Sequence, residues 1–157
     1  MMTLTGKLAD RDSWEARSCS IAKAIDVVGT RSALLILREA FYGATRFDQF
    51  ARRVGITDAV TSARLKELTD IGIFEKVPYR EPGQRARFEY QLTQMGRDLL
   101  PVVIGLMQWG DEYLQPKGGP LTLSDRESGD AVRVDVRSES GEVLDADDID
   151  VAWSREK

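Results

Sequence analysis

The spacing of apolar residues divides the chain into elements. Between Cys19 and Val28, Ile21, Ala22, Ile25 and Val28 recur at helical intervals, and Gly29 stops the run. Thr30 is placed to cap a second helix over residues 31–42, where Leu34, Leu35, Ile36 and Leu37 stand in a row. A helix so apolar is buried on most sides and predicts the centre of a core, with Arg38 and Glu39 as its exposed edge and Gly43 at its end. Phe50, Ala51 and Val54 then mark one face of a short helix that Gly55 closes. Ile56 anchors the next segment. Thr57 offers an oxygen to cap a new helix, and Asp58 in its first turn suits the positive helix end. In that helix Val60, Leu65 and Leu68 fall on one side, Ile71 lies just past them, and Gly72 ends it. The other side carries Thr57, Asp58, Ala59, Thr61, Ser62, Arg64 and Lys66.

The period then changes from helix to strand. Ile73, Glu75 and Val77 alternate with Phe74, Lys76 and Pro78; Phe88, Tyr90 and Leu92 alternate with Arg87, Glu89 and Gln91. Pro82-Gly83 between them is a turn signal. Two helices joined by a short Gly-containing turn and followed by a hairpin match a winged helix-turn-helix, whose second helix lies in a DNA major groove. Small residues on the exposed face let the helix approach base edges, and Thr or Ser can bond to bases or phosphates. Arg80, Arg85 and Arg87 at or near the hairpin tip are either ordinary solvated arginines or phosphate contacts; the helix pair beside them favours the second.

Thr93 caps a long helix predicted from about Gln94 to about Gln115, with Leu99, Leu100, Val103, Leu106, Met107, Trp109 and Tyr113 on a broad apolar face. Gly96, Pro101, Gly105 and Gly110 weaken its propensity, and Pro101 is a kink site, so it needs packing from outside. A second subunit supplies that packing more readily than the helix's own core. PKGGP at 116–120 is a linker. Beyond it, short alternating runs separated by Ser-Gly and Asp clusters predict a meander of three or four strands. Some forty residues are too few for an independent core, so this piece leans on the main domain through Trp153 or is partly disordered. Residues 1–15 read as a polar arm whose Trp14 packs against the body or a second subunit. The expected divisions are therefore an arm (1–15), a winged helix-turn-helix and dimerisation domain (16–115) and a small acidic β-rich appendage (121–157). The fold class is mainly α with a β-wing (α+β).

Composition narrows the chemistry. The 157 residues include no histidine and one cysteine, which removes the commonest general base and any Cys/His zinc site within one chain. No phosphate-cradling glycine motif is present, and no carboxylate sits in a catalytic pattern, so the expectation is a non-enzyme with no cofactor and no metal. No apolar run approaches the ~20 residues needed to span a bilayer, and the first residues lack the apolar stretch of a secretory signal. With the single cysteine, this points to a reducing cytoplasm and no membrane partner. The net charge of −4 speaks against a nucleic-acid partner until its distribution is considered. Residues 117–157 hold eleven acidic and six basic side chains; the rest of the chain is at +1.

SCSIAKAIDVVGTRSALLILREAFYGATRFDQF resembles the N-terminal signature of the HxlR-type (DUF24) regulators, a branch near the MarR regulators. Cys19, Ile21, Ala24, Ile25, Val27, Val28, Gly29, Arg31, Leu34, Ile36, Leu37 and Arg38 match it. RFDQF, VTSARLKELTDIGIFEK and RFEYQLTQMGRDLLPVVIGLMQWG resemble further signatures of that family, so the likeness covers about residues 17–115. The resemblance implies a homodimeric DNA-binding protein of the bacterial cytoplasm, paired through the first and last helices of the domain, on a palindromic double-stranded operator. It also implies a response to electrophiles, oxidants or small molecules, in some members through a cysteine at the position of Cys19. Three departures stand out: Ser20 where Pro is usual, Ser32-Ala33 where Trp-Ser or Trp-Thr is usual, and Asp58-Ala59 where Pro-Lys, Pro-Arg or another basic residue is common. The last removes a cation from the start of the recognition helix. The tail has the outline of a zinc-ribbon-like element, with Ser140-Gly141 where a cysteine knuckle would stand, and no zinc is expected there.

The expected function is a sequence-specific transcriptional regulator, a homodimeric repressor relieved by a small molecule or a thiol-reactive signal. The expected DNA-binding set is Arg46, Thr57, Asp58, Thr61, Ser62, Arg64, Lys66, Arg80, Arg85 and Arg87. Cys19 has two readings. It is a small apolar group packed at an interface, or a redox-sensing thiol at a helix start with Arg17 and Lys23 nearby. Trp14, Phe41, Met107 and Trp109 are the expected lining of a ligand pocket. The competing function is a winged-helix module that binds a protein or a ligand and not DNA.

Overall fold

The computed structural model describes residues 1–15, 18–83 and 85–153. The chain forms two compact units, one made of residues 1–19 with 124–157 and the other of residues 20–123.

The first unit joins the two ends of the chain. Strand β1 (Thr3–Leu4) pairs in parallel with a short strand at Asp150–Val151, with Thr3 opposite Asp150 and Leu4 opposite Val151. The residues expected as an arm and those expected as an appendage thus share one unit. Trp14 meets Trp153 edge to face at 6.0 Å, donates its indole N–H to the Leu8 carbonyl at 3.3 Å, and carries the Arg11 guanidinium 4.3 Å above its ring. An aromatic pair thus takes the place of a core too small to stand alone. The expected meander is reduced among the described residues to isolated bridges, Ser124 to Ala131 and Arg137 to Val143. Its alternating valines are exposed, so period-two patterning there does not produce a continuous ladder.

The second unit carries the helices. Helix α1 (Ser20–Val28) and helix α2 (Arg31–Phe41) are separated by Gly29 and Thr30, and the Thr30 hydroxyl accepts from the Ala33 N–H. Ile36 and Leu37 of α2 are fully buried at the centre of the core, together with Ala33. Glu39 is also buried, at 7 % exposure, against the expectation of an exposed edge. Its carboxylate accepts from Arg38 Nη2 at 2.6 Å and Nε at 3.0 Å, and this paired charge lets it lie inside.

Helix α3 (Phe47–Val54) and helix α4 (Asp58–Asp70) follow, then strand β2 (Phe74–Tyr79) and strand β3 (Arg87–Leu92) as an antiparallel hairpin from Phe74–Leu92 to Tyr79–Arg87. Phe50 of α3 packs edge to face on Phe74 and Tyr90, with centroids 6.0 and 6.4 Å away, and so locks the hairpin base to the helices. The expected single helix after Thr93 is two, helix α5 (Gln94–Arg97) and helix α6 (Leu100–Tyr113). The break at Asp98-Leu99 places Pro101 in the first turn of α6, where its missing N–H costs nothing. Gly96 is required on contact grounds: a Cβ there would stand 2.4 Å from the Ile73 carbonyl oxygen.

Candidate nucleic-acid interface

The interface is built around the turn between α3 and α4. Gly55 at the end of α3 has φ +71°, the left-handed conformation that lets the chain reverse tightly. Thr57 then caps α4, its hydroxyl accepting from the Val60 N–H at 3.3 Å. Leu65 and Leu68 take the core face read from the sequence, but the first position of that face is Thr61 rather than Val60. The buried stripe is Thr61, Leu65 and Leu68, while Val60 is 42 % exposed. Thr61, expected at the DNA, is fully buried and donates its hydroxyl to the Thr57 carbonyl at 3.0 Å. That back-bond satisfies the hydroxyl and lets a polar residue take a core position.

The side of α4 opposite the core is accordingly Ala59, Ser62, Ala63 and Lys66, all exposed and spaced three or four residues apart. Three of the four are small, so a groove could approach the helix backbone closely. Ala63 is absent from the expected set, because an alanine gives no polar signal in a sequence. Thr57 and Asp58 are exposed at the start of α4. Lys66 pairs with Asp70 one turn on, and that hydrogen bond raises its pKa. Arg64 sits on the flank rather than the outer face, half-buried and paired with Glu67; its Nε is enclosed with no hydrogen-bond partner. Arg52 and Arg53, absent from the expected set, are exposed in the last turn of α3, and the first helix of such a pair crosses a DNA backbone.

The hairpin brings Arg80, Arg85 and Arg87 to its distal end, each exposed. Arg46 is not with them. It precedes α3 and reaches across to the hairpin, with Nη1 2.8 Å from Glu81 and Nε 3.3 Å from Glu89, its guanidinium 4.5 Å from the centre of the Tyr79 ring. The hydrogen bonds it donates to Glu89 and then to Glu81 raise its pKa.

Of the expected pocket residues, Phe41 and Met107 line a cavity of about 490 Å³ between α2 and α6. Leu34, Leu35, Val103 and Ile104 are among its apolar lining, and Arg38, Tyr42, Asp111 and Gln115 among its polar positions. Tyr42 directs its hydroxyl at the Met107 sulfur, 3.8 Å away. Trp109 is exposed on α6 with its ring centre 5.7 Å from that of Tyr113 and tilted 44° to it, and Trp14 belongs to the other unit. Cys19 is a half-buried free thiol immediately before α1; Arg17, expected beside it, lies outside the described residues. No group of side chains fit to hold a metal ion occurs among the described residues, and no described helix is long and apolar enough to cross a membrane.

Comparison with known proteins agrees with this geometry. The model of the HxlR-like helix-turn-helix family matches residues 27–118. A helix-turn-helix transcriptional regulator of Mycobacterium tuberculosis, Rv3095, is 47 % identical over 112 residues, which is 71 % of this chain and 70 % of the relative. The crystal structure of PA1607, a candidate transcription factor, superposes with a TM-score of 0.76 at 36 % identity, covering 92 % of this chain and 99 % of that one. The redox regulator HypR in its reduced form superposes at 0.55 and 28 % identity, covering 62 % of this chain and 95 % of HypR. The chain belongs to the HxlR-like helix-turn-helix family and is a winged-helix transcriptional regulator, not an enzyme.

Proposed function

We propose that the protein is a homodimeric repressor of the bacterial cytoplasm that presents two copies of α4 to successive major grooves of a palindromic operator. The observation that carries the reading is the outward stripe of α4, Ala59, Ser62, Ala63 and Lys66, beside a hairpin tipped with arginines. The stripe fits against base edges, and the arginines supply the phosphate contacts that hold register without reading sequence. Dimerisation is supported by the apolar side chains that the second unit leaves in water. Ile21 and Ile25 of α1 are 71 % and 57 % exposed, and Leu106 and Trp109 of α6 are each more than half exposed. Monomeric surfaces seldom leave so many large apolar groups in water.

Release from the operator has two candidate triggers. One is a small molecule in the cavity lined by Phe41 and Met107; the other is oxidation of Cys19, in keeping with HypR being a redox regulator. Either would act by biasing the angle between the paired helices and hence the recognition-helix spacing of about 34–36 Å. A Cys19→Ser variant separates them. It abolishes release by peroxide if the thiol is the trigger and leaves release by a cavity ligand intact.

The test of the main reading is a salt titration of full-length protein on the duplex upstream of its own coding region. Affinity should fall steeply between about 50 and about 200 mM salt, and Arg85→Ala should make the slope shallower by about one. Binding indifferent to salt and to Arg85 would overturn it.

A further inference from the structure

We propose that Arg46 is a positioning residue: it latches the distal half of the wing to the start of α3 and so sets where the wing tip lies relative to α4. The inference rests on the reading that the tip arginines meet operator phosphate.

The hairpin is a two-stranded ribbon, a structure too weak to hold its own direction in water. Its base is fixed by the ring cluster of Phe50, Phe74 and Tyr90, and by the Tyr90 N–H, which donates to the Thr45 carbonyl at 2.7 Å. Tyr79, paired with Arg87, is the last rung before the tip, five residues beyond Phe74. At the usual strand rise that is a lever of ~17 Å. A swing of ~15° about the base would carry the tip ~4 Å, more than the length of a hydrogen bond. Arg46 spans this lever. Its guanidinium lies over the Tyr79 ring on β2, bonds Glu89 on β3 and bonds Glu81 beyond the end of β2, so it touches the ribbon at three places. Its own backbone is fixed, because the Gln49 side chain accepts from the N–H groups of Thr45 and Arg46 at 2.9 and 3.1 Å. A planar guanidinium can stack and use its fork at once; a lysine ammonium cannot. Its Nε and Nη1 are already taken by Glu89 and Glu81, which makes Arg46 itself a weaker phosphate contact than the tip arginines.

The test uses the full chain and three readouts. Arg46→Met should weaken operator binding about tenfold, and the charge-preserving Arg46→Lys should weaken it as much. When the tip is first stripped by Arg80→Ala, Arg85→Ala and Arg87→Ala, Arg46→Met should cost less than twofold more, because there is no contact left to misplace. Amide exchange over residues 79–83 and 85–87 should quicken in both Arg46 variants while that of α4 stays unchanged. Wild-type affinity in Arg46→Lys, an undiminished tenfold loss in the stripped background and an unchanged tip would overturn the latch and make Arg46 a phosphate contact. If the chain binds no DNA, the proposed function falls and the exchange experiment alone decides. Faster exchange at the tip keeps the latch, and unchanged exchange removes it.

Discussion

Thr61 gives the sharpest single-residue prediction, because the sequence pattern and the structure assign it opposite roles. Thr61→Val keeps the β-branched shape and removes one hydroxyl. The side chain is fully buried, and its hydroxyl donates to the Thr57 carbonyl at 3.0 Å. That carbonyl keeps its backbone bond from the Thr61 N–H at 2.9 Å, so no buried acceptor is orphaned and the loss is that of one neutral hydrogen bond. About 1 kcal/mol is expected, with a few tenths more because a methyl must sit farther from the oxygen than the hydroxyl did. For a domain of this size the melting temperature should fall by about 4–8 °C. Operator affinity, measured well below the melting temperature, should stay within about twofold. Ser62→Ala is the converse. Ser62 is exposed, so the melting temperature should not move, and loss of one hydrogen bond to DNA should weaken binding about threefold to tenfold. The two variants together form a crossed experiment read by calorimetry and gel shift. An affinity loss in Thr61→Val with an unchanged melting temperature would refute the face assigned to α4.

Further outcomes follow from other parts of the molecule. Ile21→Glu combined with Leu106→Glu puts charge on two exposed apolar faces and should leave a folded monomer in sedimentation; a dimer that persists would show that the chains pair elsewhere. Gly55→Ala forces a side chain into φ +71° and should cost about 1 kcal/mol in denaturant unfolding, whereas no cost would mean that the turn relaxes. The Asp125 carboxylate accepts from the Ser128 and Glu127 N–H groups, which hold its pKa below the ordinary 3.8. A depressed carboxylate pKa contributes stability above the unfolded value, and that stability is lost as pH falls through the folded one. The protection of the Glu127 and Ser128 amides, relative to the intrinsic exchange rate at each pH, should therefore fall below about pH 4, and Asp125→Asn should flatten that dependence.

What could be read from the sequence was what local rules decide. Thr30, Thr57 and Thr93 announced helix starts, and each accepts the capping hydrogen bond. Gly55 marked the turn, and alternation from Phe74 and from Arg87 marked the wing. The family resemblance and the winged helix-turn-helix class agree with the family match and with the solved structures. What escaped depended on tertiary context. Hydropathy places valine inside and threonine outside, so Val60 and Thr61 were exchanged; only the back-bond to Thr57 shows why threonine wins the core position. Glu39 reads as exposed until Arg38 is seen closing over it. Arg46 carries no local sign that its charge is spent on Glu81 and Glu89, residues 35 and 43 positions away. The pairing of β1 with Asp150–Val151 joins the ends of the chain, a contact no periodicity within either end predicts.

The most direct test of the central claim is selection of binding sites from a randomised duplex pool with the full-length protein, followed by footprinting of the winner. The account predicts a palindrome whose two half-sites lie one helical turn apart, about 10–10.5 base pairs centre to centre, with protected major grooves facing the same side. Failure to enrich any sequence, or a single unpaired site bound by one chain, would contradict it.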